Sequence, residues 1–97
     1  MNEVLRFKFS EADRETVEAD VALAIFAAEC VYGRPRVRLE ASYLVDEGGT
    51  ACVLDISGEA GEAVARVFAG LSAARFGDQA YSVRRLARDP EPTGLNQ

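Results

Sequence analysis

Basic side chains alternate with apolar ones in short stretches of this 97-residue chain, and that spacing could build an anion-binding surface. In an extended strand, residues two apart point to the same side. Guanidinium and ammonium groups gathered on one side of a sheet bind carboxylates and phosphates through charge-assisted hydrogen bonds. The sequence therefore predicts a basic surface that binds an anionic ligand or an acidic protein, formed by Arg6, Lys8, Arg36, Arg38 and Arg84.

The residue types that common catalytic sites need are missing or wrongly spaced. The chain has no histidine, which is the commonest general base and metal ligand at neutral pH. Neither Gly48-Gly49 nor Gly58 to Gly61 has the spacing and lysine of a phosphate-binding loop, although backbone amides after Ser57 offer a weak anion site. The carboxylates of residues 11–20 do not follow a calcium-loop pattern. We therefore predict a protein that is not an enzyme, with no catalytic residue, no cofactor and no metal ion.

Two cysteines, Cys30 and Cys52, are too few and too far apart for a metal-binding pattern. Both lie within apolar runs, where cysteine packs as a small hydrophobic residue. We therefore predict two reduced thiols in the core. A disulfide is the alternative if a helix and a strand bring them together, but a cytoplasmic protein would keep them reduced.

The stretch that most constrains the fold is residues 34–57. Apolar side chains recur there at every second position, as in a strand with one buried face: Val37, Leu39, Ala41, Tyr43 and Val45. Two glycines at the end of residues 46–49 suit a tight reversal, and the alternation then resumes with Cys52, Leu54 and Ile56. These patterns predict a β-hairpin whose first strand has two arginines on its wet face.

Two segments have the periodicity of helices. The first begins at Ser10, whose hydroxyl would cap free backbone amides, and ends before Gly33. The second begins at Ser57 or Gly58 and ends at Gly77.

The first of these helices has two apolar stripes. One consists of Val17, Val21, Ala24, Ile25 and Ala28, and the second of Ala19, Leu23, Phe26 and Cys30. One stripe must face the sheet, and a second band of this length would be a liability in water. We predict that the second stripe packs against the other helix, with a subunit contact as the alternative.

The patterns of residues 4–9 and 79–87 predict the first and the last strand of the chain. In the last strand Arg85 falls on the inward side and Leu86 on the outward side, which indicates a bulge or a frayed end. The order strand, helix, strand, strand, helix, strand resembles the ferredoxin-like split βαβ arrangement (βαββαβ). That resemblance implies an α+β fold with a four-stranded antiparallel sheet and two helices on one face. The crossover rule places the first and third strands at the centre. This architecture carries no function by itself.

The chain is predicted to form one α+β domain over residues 1–87, followed by a disordered tail at 88–97 that is rich in proline and glycine. No apolar run is long enough to span a bilayer, and the first residues lack the pattern of a signal peptide, so we expect a cytoplasmic protein with no membrane contact. A net charge of -5 and the lack of outward aromatic residues disfavour nucleic acid as a partner.

These observations predict a small interaction or regulatory-ligand-binding module. It would associate with itself and bind an unidentified protein or a small anion through the basic surface. A solvated sheet face without a ligand is the simpler alternative. The other functional alternative is an acidic inhibitor or mimic that presents carboxylates of the first helix, such as Glu15 and Glu18, to a basic protein.

Overall fold

The computed structural model describes residues 2–77 and 79–86. Its elements, in chain order, are β1 (Asn2–Phe9), α1 (Arg14–Tyr32), α2 (Arg34–Glu40), β2 (Ala41–Val45), β3 (Ala51–Ser57), α3 (Gly58–Phe76) and β4 (Tyr81–Leu86). The strands form one sheet in the order β2-β3-β1-β4, and each neighbouring pair is antiparallel. The predicted α+β class with a four-stranded antiparallel sheet is confirmed, but the described chain has three helices where two were predicted.

The core lies between one face of the sheet and the helices α1 and α3. Leu5, Phe7 and Phe9 of the central strand β1 are buried on that face. The ring of Phe68 on α3 contacts the ring of Phe7 edge-on, with their centroids 4.7 Å apart. Lys8, between two buried phenylalanines, is exposed. The predicted orientation of the side chains of β1 is therefore confirmed.

The strand β4 pairs with β1 without a bulge, which was one of the two predicted explanations for Arg85 and Leu86. Its register is continuous from Tyr81 to Leu86, so every second side chain lies on the helix side of the sheet. Arg85 lies on that side at the sheet edge, and its guanidinium is 3.3 Å from the carboxylate of Glu3. An arginine is tolerated in this position because the edge of the sheet is open to solvent there and a carboxylate is close.

Residues 34–40, which the alternating pattern assigned to a strand, form the helix α2. Gly33 ends α1 with a φ of 91°, and Pro35 then lies in the first turn of α2, where its missing N–H leaves no hydrogen bond unmade. Val37 is buried whereas Leu39 is 85% exposed, because residues two apart point to nearly opposite sides of a helix. The hairpin prediction is right for β2 and β3 and wrong for residues 34–40.

The helix α1 begins later than predicted. Its N-cap is Asp13, whose carboxylate accepts a hydrogen bond from the backbone N–H of Thr16 at 2.7 Å. A carboxylate in this position satisfies an amide that has no partner within the helix and complements the positive end of the helix dipole. The predicted start at Ser10 is therefore wrong by one turn.

The second apolar stripe of α1 does not pack against α3. Leu23 is 50% exposed and Phe26 is 61% exposed, and Ala19 and Cys30 are exposed as well. The residues of α1 that are buried lie on the opposite side of the helix: Val17, Asp20, Val21, Ala24 and Ala28. The predicted packing of this stripe, and with it the predicted core position of Cys30, is wrong. The subunit contact stays a prediction.

Residues 88–97, predicted to be a disordered tail, lie outside the described residues, and the domain boundary at residue 87 stays a prediction. Within the described ranges, none of the helices is both long enough and apolar enough to cross a membrane.

Candidate functional site

The candidate site is the face of the sheet opposite the core, which we call the open face. The register places three of the five predicted cations there, Arg6, Lys8 and Arg84. Apolar side chains share this face: Val4, Leu44, Val53 and Leu86. No described strand residue on the open face is aromatic, so it offers no platform on which nucleic-acid bases could stack.

Arg6 and Arg84 lie directly opposite each other in neighbouring strands of the open face. Like charges in such a cross-strand pair destabilise a sheet. Two unit charges about 6 Å apart in water repel by roughly 0.7 kcal/mol. Among the described residues, neither arginine has a carboxylate within ion-pair distance, and the same holds for Lys8. Within the described ranges, the site is therefore a group of cations that have no ion-pair partner.

Arg36 and Arg38 do not join this site, because they lie on α2 and not on a strand. The guanidinium of Arg36 is 2.9 Å from Glu40 and 3.5 Å from Glu59, and it lies over the ring of Tyr32 at 5.1 Å. Arg38 is exposed in the last turn of α2. The prediction that these two arginines share a sheet face with the other cations is wrong. Its cause is the helical conformation of residues 34–40.

The side chain of Glu40 occupies the weak anion site that the sequence placed after Ser57. Its Oε1 accepts hydrogen bonds from the backbone N–H groups of Ala60 at 2.9 Å and Gly61 at 3.3 Å. The hydrogen bond from Arg36, followed by those from the two amides, holds the pKa of Glu40 below its usual range although partial desolvation opposes the shift. A carboxylate of the chain itself therefore caps α3.

The close approach of α2 to α3 depends on a glycine. A Cβ atom at position 61 would collide with the backbone carbonyl of Glu40. No local sequence signal indicates this contact, because the two residues are 21 positions apart and neither lies in a recognisable motif.

A partly buried ion pair between α1 and α3 was also missed. Asp20 is only 2% exposed, and its carboxylate accepts two hydrogen bonds from Arg75, at 2.7 and 2.8 Å. The hydrogen bonds to Asp20 raise the pKa of Arg75 above its usual value. A carboxylate on the same helix side as Val17, Val21 and Ala24 signals a buried charge that requires a partner. The sequence could indicate that need but not the partner, which is 55 positions away.

The acidic side chains at the start of α1 are largely engaged within the chain. Asp13 caps the helix, Glu18 lies 3.1 Å from Arg14, and Asp20 binds Arg75. Those contacts reduce the number of carboxylates that this end of α1 could present to a basic protein. The acidic-mimic alternative stays a prediction.

The described part of the chain carries carboxylates and two cysteines as potential metal ligands. There, no group of three or more cysteine, aspartate or glutamate side chains could hold a metal ion. Burial, helped by the charge of Asp46, raises the pKa of the Cys52 thiol to about 12, so this thiol stays protonated at neutral pH. Both cysteines are free, and Cys30 is exposed.

Comparisons with known proteins add no function to this geometry. The chain matches no protein-family model. A search of curated proteins also finds no match.

Proposed function

We propose that this protein is a small, non-enzymatic cytoplasmic module that associates with itself and binds an acidic partner through the open face of its sheet. The observation that carries the proposal is the direct opposition of Arg6 and Arg84, with Lys8 beside them. A solvated surface without a ligand gains nothing from holding like charges opposite each other. A bound carboxylate group turns the same arrangement into a favourable one.

The surroundings of the cations favour a protein segment over a small anion. Leu44 is 72% exposed on the open face, and Val53 lies beside it on the next strand, opposite Arg6. A small anion would contact the cations alone. An acidic segment that also has apolar side chains would contact both kinds of residue, as the centre and rim of protein interfaces do.

We also propose that the fold is a ferredoxin-like split βαβ arrangement. The central position of β1 and β3 and the antiparallel pairing of all neighbours support this assignment. The short helix α2 would then be an addition to the connection between α1 and β2.

The test uses a fluorescent peptide of alternating glutamate and leucine as the acidic probe, and a glutamine-leucine peptide as its neutral control. The double variant Arg6→Gln with Arg84→Gln should bind the acidic peptide about tenfold more weakly, because two charge-assisted contacts are lost. Fluorescence anisotropy measures the affinity. The melting temperature of this variant should not fall, since the change also removes a repulsion.

The matched control is Arg14→Gln with Arg66→Gln, which changes the net charge equally but on the helices. It should leave the affinity within about twofold of the unmodified protein. Equal weakening by both double variants would show that only net charge matters, and the open-face proposal would be dismissed. Displacement of the peptide by inorganic phosphate at low concentration would overturn the protein-segment assignment in favour of a small anion.

A further inference from the structure

The outer side of α1 has an apolar stripe without a partner among the described residues. It consists of Ala19, Ala22, Leu23, Phe26 and Cys30, all of them exposed. The spacings of four, three and four residues between 19, 23, 26 and 30 are those of a seam between two packed helices. A phenylalanine at 61% exposure in the middle of such a stripe is a typical interface anchor.

The stripe is complementary to itself when two copies are antiparallel. With a two-fold axis midway between residues 24 and 25, Ala19 lies opposite Cys30 of the second copy, and Leu23 opposite Phe26 of the second copy. Small side chains then face each other at the two ends, where they allow the helices to approach closely, and the large side chains face each other near the axis. Because a two-fold interface uses the same surface on both copies, each of these contacts occurs twice.

The charges at the two ends of the stripe select the antiparallel orientation. Glu15 at the N-terminal end is exposed and forms no ion pair among the described residues. Arg34, just beyond the C-terminal end, is 68% exposed and lies 4.0 Å from its nearest carboxylate, that of Glu29. An antiparallel arrangement of two α1 helices brings Glu15 of each copy towards Arg34 of the other copy. A parallel pair would place like charges together.

We propose that the exposed stripe of α1 is the contact surface of an antiparallel homodimer of this chain. The proposal gives a surface to the self-association that the proposed function includes, but it does not depend on the basic open face. Loss of the dimer and loss of peptide binding are separate measurements, so either proposal can fail alone.

Disulfide cross-linking of the full chain tests the orientation. In the dimer, an Ala19→Cys variant places its new thiol opposite Cys30 of the second copy, so mild oxidation should give a covalent dimer. The same two positions within one chain are about 16 Å apart along the helix, too far for an internal bond. The unmodified protein, in which Cys30 lies opposite Ala19, should stay uncross-linked. Rapid cross-linking of the unmodified protein through Cys30 would overturn the antiparallel register.

Sedimentation equilibrium tests the surface itself. Phe26→Asp should raise the dimer dissociation constant at least about thirtyfold, because a charge replaces the central anchor. The control Leu44→Asp changes an even more exposed apolar residue, on the open face, and should leave the dimer intact. Dissociation by Leu44→Asp and not by Phe26→Asp would assign the contact to the sheet. A monomer at all concentrations of the unmodified protein would also overturn the proposal.

A charge exchange adds a test that does not depend on the apolar residues. Glu15→Lys and Arg34→Glu should each weaken the dimer by about fivefold, and the double variant should restore it. Additive weakening in the double variant would contradict the proposed pairing of these two residues.

Discussion

Cys30 and Cys52 are the same residue type in two environments that give them opposite chemistry. Cys30 is exposed on α1, whereas Cys52 lies in the core and has a pKa of about 12. At pH 8 the thiolate fraction of Cys52 is therefore about a thousandfold below that of a cysteine with the ordinary pKa. Burial also blocks the approach of a reagent.

Thiol labelling should therefore separate the two residues. With a coloured disulfide reagent at pH 8, and with the protein diluted until the proposed dimer dissociates, one thiol per chain should react at the rate of a free cysteine, and the second only after denaturant is added. Cys30→Ser should abolish the fast reaction and leave the slow one unchanged. Two fast thiols in the native protein would contradict the buried position of Cys52.

The sequence predicted single side chains well where one strong rule applied. Phe7 and Lys8 alternate on a central strand, where one face must be buried, and their positions are confirmed. Asp20 and Glu40 were missed, because each is satisfied by a residue distant in sequence, and local periodicity does not encode such pairs. Of the candidate site, the three cations on strands were placed correctly and the two on α2 were not.

At the scale of elements, α2 shows why a short alternating pattern is ambiguous. In seven residues the apolar positions Val37 and Leu39 fit a strand with one wet face, whereas the observed helix buries Val37 and leaves Leu39 exposed. A capping interaction stabilises the helical form, because Glu40 at the end of α2 accepts hydrogen bonds from amides in the first turn of α3 while Arg36 holds its carboxylate. Tertiary contacts of this kind override weak local preferences.

The hydrogen bonds by which Glu40 caps α3 predict that the thermal stability of the fold depends on Glu40 and on pH. Glu40→Ala should lower the melting temperature by several degrees, because two amides lose their acceptor and Arg36 loses its partner. Glu40→Gln should have a smaller effect, since it keeps an oxygen acceptor. Thermal unfolding followed by circular dichroism measures the melting temperatures of both variants. The control is Glu62→Gln, which removes the charge of an exposed ion pair with Arg66 on α3.

The sign of the pH effect follows from the direction of the pKa shift. The pKa of Glu40 is lower in the folded protein than in the unfolded chain, so its contribution is present above the ordinary glutamate value and is lost as the pH falls through the folded value. The difference in melting temperature between the unmodified protein and Glu40→Gln should therefore be constant near neutrality. It should shrink below a pH of about 4.3. A difference that grows on acidification would contradict the cap.

At the scale of the whole molecule, the described fold separates two surfaces. The helices α1 and α3 cover one face of the sheet, and the open face with its cations points the other way. The stripe of α1 lies on the side of that helix that faces away from the core. A dimer through this stripe would therefore hold two open faces outward, one on each side of the assembly.

This arrangement predicts bivalent binding. Because the two open faces point in opposite directions, the peptide is coupled within a flexible hydrogel layer that can surround a dimer. In a densely coupled layer one dimer would contact two peptides, so its apparent dissociation should be at least about tenfold slower than in a sparsely coupled layer. The Phe26→Asp variant should lose this dependence on coating density and keep the affinity for free peptide, because its open face is unchanged. Surface plasmon resonance at two densities gives the comparison. Equal dissociation rates of the unmodified protein at both densities would mean that a dimer with two outward faces does not form. Loss of free-peptide binding in Phe26→Asp would mean that the stripe of α1 itself contacts the acidic partner.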